Sequence, residues 1–205
     1  MIDNSIPYKC IIMRWEGEQH HFHLIDEENV YFKYFQRGDE IRWAMIQKSV
    51  GEFEEYTLSQ TVEYFNENFG RYFEYLSKQC VFLCDEITDE YIGTCMAWEG
   101  EKDGEKIFVL HWLAVVDKYA GRGYARLLIC KIMNIFSLMD KKKAIYLSTQ
   151  PCSYKAIKIY NDIGFAICKE DTFLGLTNQY KEAIEILRQV MYKEKWNRLV
   201  ESAVD

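Results

Sequence analysis

Apolar positions along this chain recur with two different periods, and each change of period predicts an element. Val62, Phe65, Phe69, Phe73 and Leu76 stand three or four residues apart, the spacing of one helical face. Ahead of them Thr57-Leu58-Ser59-Gln60 fits a capping box, in which threonine hydroxyl and glutamine amide satisfy opposite ends of the first turn. A rougher helical stripe (Ile41, Trp43, Ala44, Ile46, Val50) follows Asp39. Residues 80–85, 91–98 and 106–116 are short apolar runs joined by polar links at 86–90 and 99–105, the second containing Asp103-Gly104. Links this short predict antiparallel hairpins. Residues 8–15 predict a first strand, whereas 17–37 are mixed and carry no clear period.

Beyond residue 116 the pattern changes. Residues 124–139 have only Arg126, Lys131, Asn134 and Ser137 as polar breaks, which predicts a mostly buried helix. Lysines 141–143 close it, where positive charge suits the negative end of the helix dipole. A strand over 144–149, a helix over 153–163 ended by Gly164, and a strand over 165–169 follow. Residues 178–203 read as helical, with Ala183, Leu187, Val190 and Met191 on one face and Trp196, Leu199 and Val200 continuing it. The sum is an α+β chain: strand hairpins, then strand–helix units.

Composition adds limits rather than chemistry. Two prolines in 205 residues, with no Gly/Ser-rich linker and no repeat, predict one domain over 1–205. A net charge of −7 repels phosphate backbones and anionic bilayers, so neither nucleic acid nor membrane is an expected partner. It tolerates a cationic substrate. Seven cysteines, odd in number and without CxxC spacing, suit a reducing cytoplasm better than a disulfide or zinc framework. The first residues lack the blocks of a signal peptide, and no run of about 18 apolar residues is present to span a bilayer. A soluble cytoplasmic protein, monomer or homodimer, is the expectation. Gln-His-His-Phe-His brings together His20, His21 and His23, but no acidic or cysteine partner stands at a convincing metal-ligand spacing, so no metal site is predicted.

Chemistry concentrates at Ala120-Gly121-Arg122-Gly123-Tyr124-Ala125, between an apolar strand and a helix. Glycine lets the chain turn tightly and lets an anion approach without a Cβ in the way. The helix start adds free N–H groups and partial positive charge, so a phosphate or pyrophosphate is the expected guest. The mononucleotide loop is excluded because no Gly-Lys-Ser/Thr occurs. The dinucleotide fingerprint would require glycine or alanine where Arg126 stands, and it sits in repeated βαβ units rather than after three hairpin-linked strands.

The loop resembles that of the GNAT superfamily of acyl-CoA-dependent N-acyltransferases, Q/R-x-x-G-x-G/A. Gly123 and Ala125 match; Ala120 stands where glutamine or arginine is usual, which removes a side-chain hydrogen bond but not the backbone cradle. The flanks extend the resemblance. His111-Trp112-Leu113-Ala114-Val115-Val116-Asp117 is similar to the family's fourth strand, Ile145-Tyr146-Leu147 to its fifth, and Tyr91-Ile92-Gly93-Thr94 to its third. Residues 153–165 resemble N-x-x-A-I-x-x-Y-x-x-x-G-F, with Ser153 for asparagine and Ala156, Ile157, Tyr160, Gly164 and Phe165 matching. The resemblance implies a mixed, mostly antiparallel central sheet flanked by helices, with 170–205 as a helical extension outside it. It implies acetyl transfer from acetyl-CoA to a primary amine of a small molecule or peptide by direct attack in a ternary complex. A non-catalytic acyl-CoA-binding or protein-interaction module on the same fold is the alternative.

The implied cofactor residues are Leu113, Ala114 and Val115 on the strand, Gly121, Arg122, Gly123, Tyr124, Ala125 and Arg126 at the turn, and Ser153. Arg122 and Arg126 have guanidinium groups that suit phosphate oxygens, or are solvated helix residues. Tyr160 holds the position of a tyrosine that protonates the leaving thiolate, or packs its ring on the core. His111, in the same alternation as Leu113 and Val115, is the candidate base for the amine, or a hydrogen-bonded core residue; Glu99 is a weaker candidate. Tyr34, Glu40, Trp43, Glu52 and Glu54 lie in the region that borders the acceptor in related folds, where carboxylates and π-faces could hold a cation.

Overall fold

The computed structural model describes residues 2–17, 22, 29–140 and 143–205. It has seven strands, β1 Ile11–Trp15, β2 Val30–Tyr34, β3 Cys80–Asp85, β4 Tyr91–Lys102, β5 Glu105–Val115, β6 Ile145–Thr149 and β7 Ala166–Ile167, hydrogen-bonded in the order β2-β3-β4-β5-β6-β1-β7. β1 runs antiparallel to β6 and β7, and β3 antiparallel to β2 and β4; β5 and β6 pair parallel through Phe108↔Ile145 and Val109↔Tyr146. This is the α+β class that the pattern predicted and the mixed, mostly antiparallel sheet that the resemblance implied.

The helices are α1 Glu40–Ser49, α2 Leu58–Phe69, α3 Phe73–Gln79, α4 Tyr124–Met139, α5 Tyr154–Ile163, α6 Tyr180–Val190 and α7 Lys193–Glu201. The capping box is present: Thr57 Oγ1 accepts from Gln60 N at 3.3 Å, and Gln60 Oε1 accepts from Thr57 N at 2.8 Å. The helix expected to run on to Leu76 is instead broken by a 3-10 turn over Gly70–Tyr72 and resumes as α3. Gly70 opens the tighter turn. Asp103 and Gly104 form the whole link between β4 and β5, with φ of 53° and 82°, the positive pair that a two-residue hairpin turn requires.

Contacts group the chain into two compact units. Among the described residues the first comprises 22, 29–97 and 110–139. Its core is aromatic: Trp43 and Phe65 lie 5.0 Å apart, Phe35 stacks on Phe65 at 5.3 Å, and α4 contributes the buried Leu128, Ile132 and Phe136. Edge strand β2 belongs here; Val30, Phe32 and Lys33 are partly buried, Tyr31 and Tyr34 are exposed, and Lys131 Nζ sits over the rings of Phe32 and Tyr34.

Among the described residues the second unit comprises 2–17, 98–109, 140 and 143–205. Ile12, Ile107, Val109, Tyr146, Cys168 and Phe173 form one apolar cluster in it. Gly164 ends α5 with φ 117°, the left-handed C-terminal geometry expected of a glycine there. The single helical run expected over 178–203 is divided at Met191, which is extended; α7 then returns so that Leu199 is buried and Trp196 Nε1 donates to Ile184 O at 3.1 Å. Asp162 of α5 receives Lys195 and Arg198 from α7 at 3.5 and 3.0 Å. Val204 pairs with Cys168 as a parallel bridge, so the C-terminal residues lie beside the end of β7.

His20, His21, His23, Lys141 and Lys142 lie outside the described residues. Among the described residues no helix is long and apolar enough to cross a membrane, and no group of three potential ligands could hold a metal ion. All seven cysteines are free and buried, and burial pushes the Cys80 thiol up to about 12.

Candidate functional site

In the first unit, β5 leads into the glycine turn. Val116 N donates to Ile92 O at 2.8 Å, and a 3-10 turn over Asp117–Tyr119 carries the chain into Ala120. Gly121 and Gly123 have φ of 80° and 86°, and Gly121, Arg122 and Gly123 are all exposed. Leu127 N donates to Gly123 O at 3.1 Å, so the N–H groups of Tyr124, Ala125 and Arg126 precede the helical ladder of α4. A Cβ added at either glycine would meet no heavy atom within 4 Å. Backbone geometry, not crowding, therefore asks for glycine, and the face above the turn is open. A diphosphate fits such a turn by charge, by donor set and by space. Lys118 and the Tyr119 hydroxyl both donate to Glu90, which anchors the near end of the turn, and Arg122 stacks its guanidinium 5.4 Å from the Tyr119 ring. Arg126 is exposed.

The strand before the turn is not regular. Trp112 has φ 53°, a left-handed conformation that a bulky residue rarely adopts. It bulges β5 and interrupts the strict alternation expected to put His111 on one face with Leu113 and Val115. Two contacts hold the bulge. Buried Gln47 of α1 donates from Nε2 to Trp112 O at 3.0 Å, and Cys95 Sγ donates to His111 O at 3.7 Å. On the adjacent strand Gly93 is required by proximity: a Cβ there would lie 2.6 Å from Ala114 O. Ala114 is buried, with Leu113 and Val115 partly so.

His111 is half-buried, its ring 6.0 Å from Phe69 and 5.1 Å from Trp112. Desolvation among these rings pushes its imidazole down to about 4, so it is uncharged at neutral pH. It accepts a hydrogen bond there more readily than it keeps a proton. Glu99, in the second unit, lies 3.7 Å from Lys106 as an ion pair.

Rings from three elements gather around Trp112. Phe53 stacks on it at 5.4 Å, Trp43 meets it edge-on at 5.2 Å and Tyr64 at 6.0 Å. The connection between α1 and α2 that supplies Phe53 is tied down from within: Lys48 Nζ donates to the carbonyls of Phe53 and Tyr56, and Glu52 N donates to Gln47 O at 3.1 Å. Of the five residues expected near an acceptor, Trp43 is fully buried core, Glu40 Oε2 accepts from Gly38 N at 2.8 Å, Tyr34 lies on β2 under Lys131, and Glu54 is exposed. Glu52 differs: it is partly buried, its carboxyl is pushed up by desolvation, and its charge acts on Tyr64. A separate cleft of about 340 Å³ runs along α1 between Arg42, Met45, Tyr91 and Lys118.

In the second unit, Tyr160 of α5 is buried with its ring 6.0 Å from Phe165, and its carbonyl accepts from Gly164 N and Phe165 N. Ser153 closes the 3-10 turn before α5, and its Oγ accepts from Gln150 Nε2 at 3.4 Å. The residues that sequence reasoning missed are Gln47, Phe53, Tyr64 and the bulged Trp112. Only Gln47 left a signal, as a polar side chain on the apolar stripe of α1.

Comparison with known proteins agrees with the fold. A GCN5-related N-acetyltransferase from Sphaerobacter thermophilus superposes with a TM-score of 0.59 at 16% identity, over 79% of this chain and 49% of that one. This chain thus spans about half the length of that protein. Glucosamine-6-phosphate N-acetyltransferase from Arabidopsis thaliana superposes with a TM-score of 0.53 at 14% identity, over 75% of this chain and 99% of its own. A predicted acetyltransferase from Clostridium acetobutylicum, solved with acetyl-CoA, gives 0.51 at 15% identity, over 75% and 97%. At such identities the likeness is one of fold. No curated protein matches the sequence. The sequence profile of the Acetyltransferase (GNAT) family matches residues 42–165, more than half of the chain, and the protein belongs to that family.

Proposed function

We propose that this protein transfers an acetyl group from acetyl-CoA to a primary amine while both are bound. The observation that carries the reading is the exposed turn at Gly121–Gly123, whose left-handed glycines open directly onto the N–H groups that start α4. Bound acetyl-CoA supplies a thioester carbonyl open to nucleophilic attack. The N–H groups of Arg122, Gly123, Tyr124, Ala125 and Arg126 bind the diphosphate, with the two guanidinium groups beside them. Leu113, Ala114 and Val115 present backbone to the pantetheine arm, and one of their N–H groups polarises the carbonyl. Gln47 and Gly93 keep that stretch in place.

His111, uncharged at neutral pH, accepts a hydrogen bond from the incoming amine and orients its lone pair. As the C–N bond forms, the C–S bond breaks with its electrons on sulfur; the nitrogen sheds one proton through His111 to solvent, and Tyr160 gives its phenolic proton to the sulfur and regains one from solvent. With a reference pKa of about 10 the phenol keeps its proton at neutral pH, and its hydrogen bond to the sulfur stabilises the charge that develops there until the proton follows. The roles of Tyr160 and Ser153 rest on the motif they occupy. Seven buried free thiols support a reducing, cytoplasmic setting.

A thiol-release assay with acetyl-CoA over a panel of primary amines tests the reading. Amine-dependent release is expected. Tight binding of acetyl-CoA with no release from any amine would favour an acyl-CoA-binding module instead.

A further inference from the structure

The cleft of about 340 Å³ along α1 is lined by none of the residues assigned to acyl-CoA, and it has a chemistry of its own. Its Tyr91 wall is fixed. The Tyr91 hydroxyl donates to Asp39 Oδ1 at 2.8 Å and accepts from Lys33 Nζ, which ties the ring to the start of α1 and to β2. Buried Ile46, partly buried Val116 and exposed Met45 add apolar lining.

Four charged side chains line the same cleft, and two of them cancel. Lys118 pairs with Glu90, whose Oε2 also accepts from the Tyr119 hydroxyl at 2.6 Å. Arg42 and Asp89 remain. The Arg42 guanidinium lies 5.4 Å from the centre of the Tyr91 ring, and among the described residues no ion pair reaches it. Asp89 accepts from the Tyr31 hydroxyl, a neutral donor, and no cation among the described residues pairs with it. One cleft therefore presents one unmatched charge of each sign, and the two do not neutralise each other.

A lone cation in this cleft would leave Arg42 unmatched, and a lone anion would face Asp89. A small molecule that carries both charges satisfies both, while Met45, Ile46 and Val116 cover an apolar chain. We propose that the cleft binds a free α-amino acid with an aliphatic side chain, its carboxylate on the Arg42 fork and its ammonium on Asp89. A nitrogen held protonated by a carboxylate is no nucleophile, so this amino acid is a bound ligand and not the amine that reacts. Val116 and Lys118 place it beside the segment that leads into Gly121, where an effector can act on the turn. The site does not depend on the transferase reading.

The test is calorimetric titration of the intact protein with L-leucine, 4-methylpentanoate and 3-methylbutylamine at neutral pH and constant ionic strength. The second compound is leucine without its ammonium, and the third is leucine without its carboxylate. L-Leucine is expected to bind with a Kd of about 1 mM or lower, and each analogue at least about fivefold more weakly, the scale of one partly exposed charge contact. Arg42→Gln should remove the advantage over 3-methylbutylamine. Asp89→Asn should remove the advantage over 4-methylpentanoate, and asparagine tolerates the φ of 57° found there. If a variant does not fold, the three ligands on the unaltered protein still decide the matter. No binding of L-leucine, equal affinity for either analogue, or an advantage that survives its matching variant overturns the proposal. Acetyl-CoA binding and thiol release are read separately, and their failure would sink the transferase reading while leaving the amino-acid site standing.

Discussion

Phe53 and Trp112 both adopt left-handed backbone, with φ of 56° and 53°, and their rings stack at 5.4 Å with 26° between the planes. Two strained residues from separate elements thus brace one another at the bulge that precedes Leu113. The indole Nε1 of Trp112 is buried and lacks a hydrogen-bond acceptor among the described residues. Trp112→Phe keeps a stacking ring and removes that donor, so its stability should stay within about 1 kcal/mol of the parent. Trp112→Ala loses the ring and should cost roughly 3 kcal/mol. Denaturant unfolding of both variants checks the pair; equal losses would mean the stack does not brace the bulge.

His111 gives a pH signature with a definite sign. Its imidazole is pushed from 6.5 down to about 4 in the folded protein. Between those values the unfolded chain binds a proton that the folded one refuses, so stability falls as the solution is acidified through that window. The slope from this single group is at most about 1.4 kcal/mol per pH unit. His111→Phe removes it. The stability difference between parent and variant should therefore shift against the parent from pH 6.5 towards 4, and a difference that is flat with pH contradicts the burial described.

Gly93 tests how closely β4 must approach β5. With Ala114 O only 2.6 Å from where a Cβ would stand, Gly93→Ala must push backbone aside. A loss of roughly 1–3 kcal/mol is expected, as for overpacked interiors, together with a fall in kcat/KM because Leu113–Val115 moves. Thermal unfolding alongside thiol release separates the two effects. An unchanged kcat/KM in a folded variant would show that the position of this strand does not govern turnover.

Much of this was legible because local chemistry and tertiary packing agree. The box at Thr57, the buried run of α4, the Asp103-Gly104 turn and the glycines at 121 and 123 each announce their own backbone geometry. β2 was not legible, because as an edge strand its five residues are only partly buried or exposed and show no alternation. The breaks at Gly70–Tyr72 and Met191 were missed because the apolar spacing runs through both; where a helix bends is decided by what it packs against. The bulge at Trp112 left no mark, since nothing about a tryptophan in an apolar run signals positive φ. Gln47 is the instructive case. A polar residue on an apolar stripe turns out to hold a strand carbonyl, and only the fold says which one.

For Tyr160 the variant to make is Tyr160→Phe, which keeps the ring that packs on Phe165. Turnover is expected to fall by about 10²–10⁴ if the phenol supplies the proton, with affinity for acetyl-CoA little changed. Assays near neutrality and above pH 8 separate proton donation from packing. Full turnover at both would remove the residue from the chemistry.

The central claim is that main-chain donors at Gly121–Gly123 and the start of α4 hold the acyl donor. Calorimetric titration of acetyl-CoA into the parent and into Gly123→Val tests it most directly, because valine at φ 86° is strained and intrudes on the open face of the turn. The account predicts binding to the parent and at least a tenfold loss in the variant, with the fold retained by circular dichroism. Equal affinity in the two proteins, or no binding to the parent, would contradict it.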